Sequence, residues 1–376
     1  MFEGNSLRVS RLAKVFIILI CIYIANTDIK IQTSATLVEQ QSIPMYGTII
    51  SIDPTPTSTP APTPTLTPTT TPSPTAPPTT QRVMLGSWGG ETAIQTTDVN
   101  TWANSWQTDT GKGLAWYAIM SNFGPSSNPQ PMIYIDEYKP LVEQGLFKGI
   151  IYTWQPSFDW SWDRPNGTCT SQIASGVYDV YIRQEAIRSR NAGYPIIIRF
   201  GHEMNGDWAG WGTSAATFKQ AWIKVVSIFR SENVYNVKFL WCPNYADTGG
   251  RSFQDYYPGD TYVDYVGTDV YANNDWGWWY LPERQIGNIN GNVYDTYSNK
   301  PYIIGEWGCS SAITETQNAD WMTRLFDAVE NRSRIVGIVH WQGNQEGWRV
   351  DLHPEAFQIY KARTASGMYV TSLFGW

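Results

Sequence analysis

The 376-residue chain has few cysteines, only three histidines and no apolar run long enough to span a membrane as a helix. One of its four cysteines lies near the N-terminus, so at most one intrachain disulfide can form among Cys169, Cys242 and Cys309. No CxxC pair and no clustered His/Cys set is present, and we expect neither a metal nor a cofactor. The net charge is −7, without a Lys/Arg run in the C-terminal three quarters, which argues against a nucleic-acid partner.

Tryptophan is absent from the front of the chain, because all 19 residues of this type lie at or after Trp88. The front is rich in proline instead. The segment Pro54–Thr80 contains 10 Pro and 12 Thr and no charged residue. Such a segment cannot form a core and acts as an extended linker that reaches about 80 Å. We therefore predict five regions: a signal or anchor (1–25), an unassigned spacer (26–53), the Pro/Thr linker (54–80), a large folded domain (83–364) and a C-terminal tail (365–376).

Three basic residues precede an apolar stretch at the N-terminus, Val15–Ala25, which has 11 residues. A spanning helix needs about 20. A basic segment followed by a short apolar one is the signature of a secretory signal. An uncleaved membrane anchor and a lipidated Cys21 are open alternatives. We expect an exported protein, either secreted or tethered to the cell surface.

Apolar, strand-like runs alternate with helix-like stretches in the back region. This α/β pattern, over roughly the length typical of the fold, predicts a (β/α)8 TIM barrel. A doubly wound open sheet is the alternative, but no glycine-rich phosphate loop follows the first strand. The predicted strands are Met84–Gly89, Leu114–Met120, Phe147–Trp154, Pro195–Gly201, Val237–Pro243, Val263–Tyr271, Tyr302–Trp307 and Gly337–Trp341.

Two of the predicted strand ends carry a glutamate. Active sites of such barrels lie at the C-terminal ends of the strands. Glu203 follows the fourth strand and Glu306 lies at the end of the seventh, and these strands face each other across the barrel mouth. A single glutamate there is ordinarily a solvated residue, but glycosidic cleavage needs a carboxylate pair. With no competing nucleophile–histidine pair, we predict that Glu203 and Glu306 are catalytic.

The string His202-Glu203-Met204-Asn205-Gly206-Asp207-Trp208 resembles the acid/base segment of glycoside hydrolase family 26, typified by endo-β-mannanases. Glu306-Trp307-Gly308 is similar to the nucleophile segment of that family. The resemblance covers roughly residues 83–363. It implies a retaining barrel enzyme in which Glu203 is the general acid/base and Glu306 the nucleophile.

The same resemblance implies three contacts near the reacting sugar: a hydrogen bond from His202, an aromatic surface from Trp208 and a phenol, Tyr271, that touches the nucleophile. The residues themselves add further candidates. Aromatic faces suit the C–H faces of sugars, so Trp154, Trp276 and Trp341 are predicted substrate contacts. The alternation of side chains along a strand predicts that Arg199 points into the barrel. There it either holds a carboxylate charged or serves as a structural ion-pair partner. Asp269, at the end of the sixth strand, is predicted to support the pair.

The chain departs from the mannanase pattern at Gln155 and Gln342, where many mannanases have His and Arg. We predict that the protein is an extracellular, monomeric, endo-acting β-glycanase. Its first candidate substrate is β-1,4-mannan. Mixed-linkage β-1,3-1,4-glucan and β-xylan are the alternatives within the family. A non-catalytic carbohydrate-binding barrel is the alternative of another class, but such a module does not need two glutamates at the mouth.

Overall fold

The structure is a computed structural model that describes residues 81–89, 96–123, 132, 135–158, 168–272, 281–287, 291–343 and 347–375. The predicted signal, spacer and linker lie outside these residues, as does Trp276. No helix in the described ranges is long and apolar enough to cross a membrane.

A closed barrel of parallel strands forms the centre of the domain. Consecutive strands pair in order, and β9 pairs with both β8 and β1, which closes the sheet. β6 and β7 share one position between β5 and β8, so the predicted (β/α)8 barrel is confirmed. The strands are β1 Val83–Trp88, β2 Trp116–Asn122, β3 Gly149–Gln155, β4 Ile196–Phe200, β5 Val237–Trp241, β6 Tyr265–Val266, β7 Asp269–Tyr271, β8 Tyr302–Gly308, β9 Ile335–Trp341 and β10 Tyr369–Val370.

Helices follow most strands and cover the outer face of the barrel. The connection after β5 differs from the prediction, because it holds two short 3-10 helices, Phe253–Tyr256 and Asp260–Tyr262, in place of an α-helix. The α-helices are Thr96–Thr110, Lys139–Glu143, Thr170–Ser175, Asp179–Ala192, Ala215–Ser231, Pro282–Gln285, Val293–Thr296, Glu315–Glu330 and Pro354–Thr364.

Alternate residues of each strand separate two apolar layers, as the period of a strand requires. The inner layer includes Met84, Ile151, Ile197 and Val339. The outer layer, between strands and helices, is larger and rich in aromatic rings such as Trp222. The inner layer fills the lower part of the barrel and leaves its upper end for polar side chains.

The folded domain is longer at both ends than the sequence predicts. At its start the Gln81 side chain is buried, and its amide donates to the carbonyl oxygen of Arg332 at 3.0 Å. At its end β10 pairs with β1, and Phe374 packs against the inner apolar layer. Strand pairing and apolar burial therefore hold residues 369–374 to the barrel, so this part of the predicted tail is not free.

Candidate active site

A buried arginine organises the upper end of the barrel. Arg199, on β4, is 1% exposed. Its guanidinium donates to Asp269 Oδ1 at 2.7 Å, to Glu306 Oε1, and to Thr153 Oγ1 at 2.9 Å. Burial alone would lower the pKa of Arg199, but the adjacent charges of Asp269 and Glu306 raise it well above its usual value. A permanent cation thus lies beside two carboxylates.

Glu306 receives hydrogen bonds on both carboxylate oxygens. Arg199 donates to Oε1, and the hydroxyl of Tyr271 donates to Oε2 at 2.5 Å. The backbone of Tyr271 is held in turn by the Gln285 side chain, which accepts from its N–H at 2.7 Å and donates to its carbonyl at 2.8 Å. The arrangement stabilises a negative charge on Glu306 and fixes the direction of its oxygens.

An irregularity in β8 directs Glu306 into the barrel. Ile303 packs in the inner layer and Ile304 in the outer one, so strict alternation would point Glu306 outward. The pairing of β8 with β9 shifts register between Ile304 and Trp307. Glu306 consequently faces inward while Trp307 returns to the outer layer. Bulges of this kind re-aim side chains next to active sites.

Glu203 lies in the turn after β4 in a strained backbone conformation, with a φ of 52°. Its N–H donates to the carbonyl of Cys242 at 2.9 Å, and the indole of Trp208 donates to its Oε2 at 3.0 Å. Burial, and then the charge of Glu306, raise the pKa of Glu203 to about 7, against the opposing effects of Arg199 and Trp208. Glu203 can therefore hold a proton near neutral pH.

The remaining residues of the turn hold Glu203 in position. The amide of Asn205 is buried, donates to Asp247 Oδ1 at 2.8 Å and accepts from the N–H of Asn244 at 2.7 Å, which ties the turn to the segment after β5. Gly206 is required because a Cβ there would lie 2.4 Å from the Trp208 ring. The motif is thus a rigid support for one carboxylate.

His202 lies beside this turn with 7% of its surface exposed. Burial and the nearby Arg199 lower its pKa well below the usual value, so the imidazole is neutral. Its Nδ1 has no hydrogen-bond partner in the described part of the chain. This nitrogen is buried, while the His202 carbonyl accepts from the indole of Trp211 at 2.9 Å.

The predicted aromatic contacts separate into two groups. Trp208, Tyr271 and Trp341 lie at the mouth of the barrel. The prediction for Trp154 is wrong, because its ring is 0% exposed and packs against Phe123 in the outer layer. The inward position on β3 belongs to its neighbour Thr153, which contacts Arg199, and the two side chains point to opposite faces.

Two tryptophans at the mouth were not predicted as site residues. Trp88 ends β1 and stacks on Trp341 with ring centroids 3.9 Å apart. Trp348 follows β9, and its ring lies 4.9 Å from that of Tyr271. The strand-end rule that identified Trp341 applies equally to Trp88. Trp348 lies in a loop, and its sequence position carries no such signal.

No disulfide joins the cysteines of the described domain: Cys169, Cys242 and Cys309 are buried free thiols. Cys242 lies within the charged cluster and donates to Asp269 Oδ1 at 3.3 Å. Burial and the Asp269 carboxylate raise its pKa well above the usual value, so it stays a neutral thiol.

Comparison with known proteins supports a glycoside hydrolase. Residues 163–293 match the model of Glycosyl hydrolase family 26. Endoglucanase H of Acetivibrio thermocellus is 30% identical over 233 residues, which cover 58% of this chain and 24% of that protein. A mannan endo-1,4-beta-mannosidase of Bacillus subtilis is 29% identical over 237 residues, which cover 60% of this chain and 53% of that protein. The chain is thus similar to members of glycosyl hydrolase family 26.

The fold of the chain is also similar to that of solved structures. The structure of a GH26 beta-mannanase from Bacteroides ovatus superposes with a TM-score of 0.57, at 16% identity, over 77% of this chain and 90% of that one. At this level of identity the likeness concerns the fold alone. The chain spans about a quarter and about half of the two relatives matched by sequence.

Proposed function

We propose that this protein is an extracellular, retaining endo-β-glycanase that uses Glu203 as general acid/base and Glu306 as nucleophile. The single observation that carries the proposal is the contrast between two carboxylates at one barrel mouth. Burial and the charge of Glu306 raise the pKa of Glu203 to about 7, whereas Glu306 accepts hydrogen bonds from Arg199 and Tyr271. Glu203 can hold a proton near neutral pH and Glu306 is contacted by two donors, which suits the division between acid and nucleophile that glycoside cleavage requires.

The reaction would proceed in two displacements. A carboxylate oxygen of Glu306 attacks the anomeric carbon while Glu203 protonates the departing glycosidic oxygen, and a covalent glycosyl ester forms. Glu203, now deprotonated, then removes a proton from water, which attacks the same carbon and releases Glu306. The Arg199 guanidinium lies beside the carboxylate that leaves in this second step, and it stabilises the returning negative charge.

The stereochemistry of the product tests this mechanism. If both glutamates act as proposed, their carboxyl groups lie about 5–5.5 Å apart and configuration is retained. Proton NMR of the first product released from a β-glycan should show the β-anomer before mutarotation. Initial appearance of the α-anomer would rule out Glu306 as the nucleophile.

The substrate we propose first is β-1,4-mannan, because several relatives matched by sequence are mannan endo-1,4-beta-mannosidases. Mixed-linkage β-glucan is the second candidate, favoured by the match to Endoglucanase H and by Gln155 and Gln342. Both glutamines are buried, and each has an Oε1 atom without a hydrogen-bond partner among the described residues. Reducing-sugar release from mannan, lichenan and xylan separates these candidates. A strict mannanase would show that the two glutamines do not decide specificity.

Export and tethering are part of the proposal and rest on the N-terminal sequence alone. A chain that starts at Gln81 should then be folded and as active as the full-length chain. It keeps the buried Gln81 amide, whose contacts with Val329, Arg332 and Ile335 would be lost from a start at residue 83. Loss of folding on removal of residues 1–80 would show that they contribute to the domain.

A further inference from the structure

The loop that follows β5, residues 243–252, contacts the Glu203 turn along its length. Thr248 Oγ1 accepts from the N–H of Asp207 at 2.8 Å and donates to the Asp207 carboxylate at 2.9 Å. The N–H of Thr248 donates to the carbonyl of Asn205 at 3.2 Å. The turn and the β5 loop are thus joined by main-chain and side-chain hydrogen bonds, although about 40 residues separate them in sequence.

Arg251, near the end of the β5 loop, holds two main-chain carbonyls of the turn. Its guanidinium donates to the carbonyl oxygen of Gly206 at 2.5 Å and to that of Ala209 at 2.8 Å. Carbonyls in an irregular turn lack the partners that a helix or a strand provides, so other donors have to supply them. Arginine suits this task because its planar guanidinium offers several donors in a fixed geometry.

The two carbonyls lie on either side of Trp208 in the sequence. Trp208 is the residue whose indole donates to Glu203 Oε2 at 3.0 Å. Its ring lies against the backbone of Gly206, where a Cβ would be 2.4 Å from the ring. Arg251 therefore fixes the backbone before and after Trp208, and with it the position of the donor to Glu203.

The turn needs such support because the backbone of Glu203 is strained, with a φ of 52°. A conformation of this kind persists only where its surroundings fix it. Tyr256, on the 3-10 helix after the β5 loop, donates to the carbonyl of Gly212 at 2.6 Å. A Cβ on Gly212 would be 1.9 Å from the Met204 carbonyl oxygen and 3.1 Å from Arg251 Nη1. The turn is thus packed closely against Arg251.

The charged groups that face Glu203 come from the barrel strands: Arg199 on β4, Asp269 on β7 and Glu306 on β8. Burial and then the charge of Glu306 raise the pKa of Glu203. The charge of Arg199 and the hydrogen bonds with Trp208 and Asp269 lower it. Of these contributions, the hydrogen bond from Trp208 is the one whose donor belongs to the turn itself.

We infer that Arg251 is a positioning residue for the general acid/base: it holds residues 206–209 so that Trp208 keeps its hydrogen bond to Glu203. This inference rests on the function proposed above and adds to the site a residue that lies at no strand end. Without the guanidinium, the turn can relax and carry Glu203 away from the departing oxygen. A displacement of about 1 Å can cost roughly 10²-fold in rate.

The test compares full-length variants on a polysaccharide that the wild type cleaves and on a dinitrophenyl β-glycoside of the same sugar. Arg251→Met removes the donors and keeps a long apolar side chain, and Arg251→Lys keeps the charge without the planar guanidinium. The control is Arg334→Met. Arg334 also donates to a main-chain carbonyl, that of Lys300 at 2.8 Å, but it precedes β9 at the end of the barrel opposite the mouth.

We expect Arg251→Met to lower kcat on the polysaccharide by roughly 10–100-fold, with a smaller change in KM. The aryl glycoside should lose less, because its leaving group departs without a proton from Glu203. The fall of kcat/KM at high pH, which reports loss of the proton from Glu203, should move to higher pH. Arg251→Lys should change each quantity less, in the same direction. Arg334→Met should keep the wild-type pH profile and the wild-type ratio of the two rates.

A double variant tests whether Arg251 acts through Trp208. In Trp208→Phe the hydrogen bond to Glu203 is already absent, so adding Arg251→Met should not move the pH profile further. Combined effects on the profile that equal the sum of the two single effects would overturn the inference.

A wild-type pH profile in Arg251→Met, with equal losses on both substrates, would also overturn it. If Arg251→Met does not fold, Arg251→Lys carries the same test, and a wild-type profile and rate ratio in that variant are the contrary result. Failure of the wild-type protein to cleave mannan, lichenan and xylan would refute the proposed function itself. The other results are obtained with an active wild-type enzyme, so the two failures are distinguishable.

Discussion

The two glutamates at the barrel mouth have the same side chain and opposite surroundings. Glu306 lies within β8, is 7% exposed, and is hydrogen-bonded on both oxygens by Arg199 and Tyr271. Glu203 lies in a turn outside any strand, has a left-handed backbone, and receives a hydrogen bond from the indole of Trp208. Glu306 is contacted by the donors Arg199 and Tyr271, whereas burial and the charge of Glu306 raise the pKa of Glu203. The two side chains are therefore distinguished by their environment and not by their residue type.

Removal of the Glu306 side chain should have the largest effect on activity. Glu306→Ala eliminates the oxygen on which the intermediate forms, so we expect a loss on the order of 10⁴-fold or more on every substrate, an activated aryl glycoside included. Initial rates on the polysaccharide and on the aryl glycoside measure this loss. Azide should give no rescue that retains configuration. Appreciable aryl glycoside turnover by this variant would contradict the assignment.

Removal of the Glu203 side chain should affect cleavage of polysaccharide more than cleavage of an aryl glycoside. Glu203→Ala should lower cleavage of polysaccharide by roughly 10²–10⁴-fold, because the departing alkoxide needs a proton. An aryl glycoside leaves as a stabilised phenolate, so its first step should survive, and hydrolysis of the intermediate then becomes limiting. Azide should accelerate this second step. If Glu203→Ala lost the aryl substrate and Glu306→Ala kept it, the two roles would be reversed.

The pH profile sharpens the comparison, because only Glu203 must hold a proton in the first step. Its pKa near 7 predicts that kcat/KM falls as pH rises through about 7. The hydrogen bond from Trp208 stabilises the charged form and lowers this pKa, so Trp208→Phe should move the basic limb to higher pH. Trp211→Phe removes an indole donor from the His202 carbonyl, not from Glu203, and is the matched control. A downward shift in Trp208→Phe would contradict the explanation.

The smallest expected effect concerns the strained turn. Glycine adopts a positive φ without the Cβ penalty, so Glu203→Gly should be about 1 kcal/mol more stable than Glu203→Ala in its free energy of unfolding. Denaturation with urea measures the difference. Asn233 has a similar φ of 56° away from the mouth and gives the matched pair, Asn233→Gly and Asn233→Ala. Equal stability of the Glu203 pair, with a difference at Asn233, would show that the turn relaxes around Ala.

Most of the barrel was predictable from the sequence, because each strand is an apolar run and the candidate site residues lie at the ends of such runs. The runs around Ile196–Phe200 and Tyr302–Gly308 identified β4 and β8, and the glutamates near their ends gave the candidate site. The motif that contains Glu203 was recognisable because several of its residues, such as Asn205 and Gly206, have local structural tasks. Local patterns of this kind can be recognised from the amino-acid sequence alone.

Side-chain direction was not predictable in the same way. Trp154 has the position of a site residue, yet the alternation of β3 turns it into the outer layer. Glu306 would point outward by the same alternation, and only the register shift between β8 and β9 brings it to Arg199. The sequence by itself determined the barrel and gave the two glutamates as candidates, through hydrophobic period and motif. The tertiary structure decided which side chains face the mouth, because strand register and bulges arise from pairing between strands far apart in the chain.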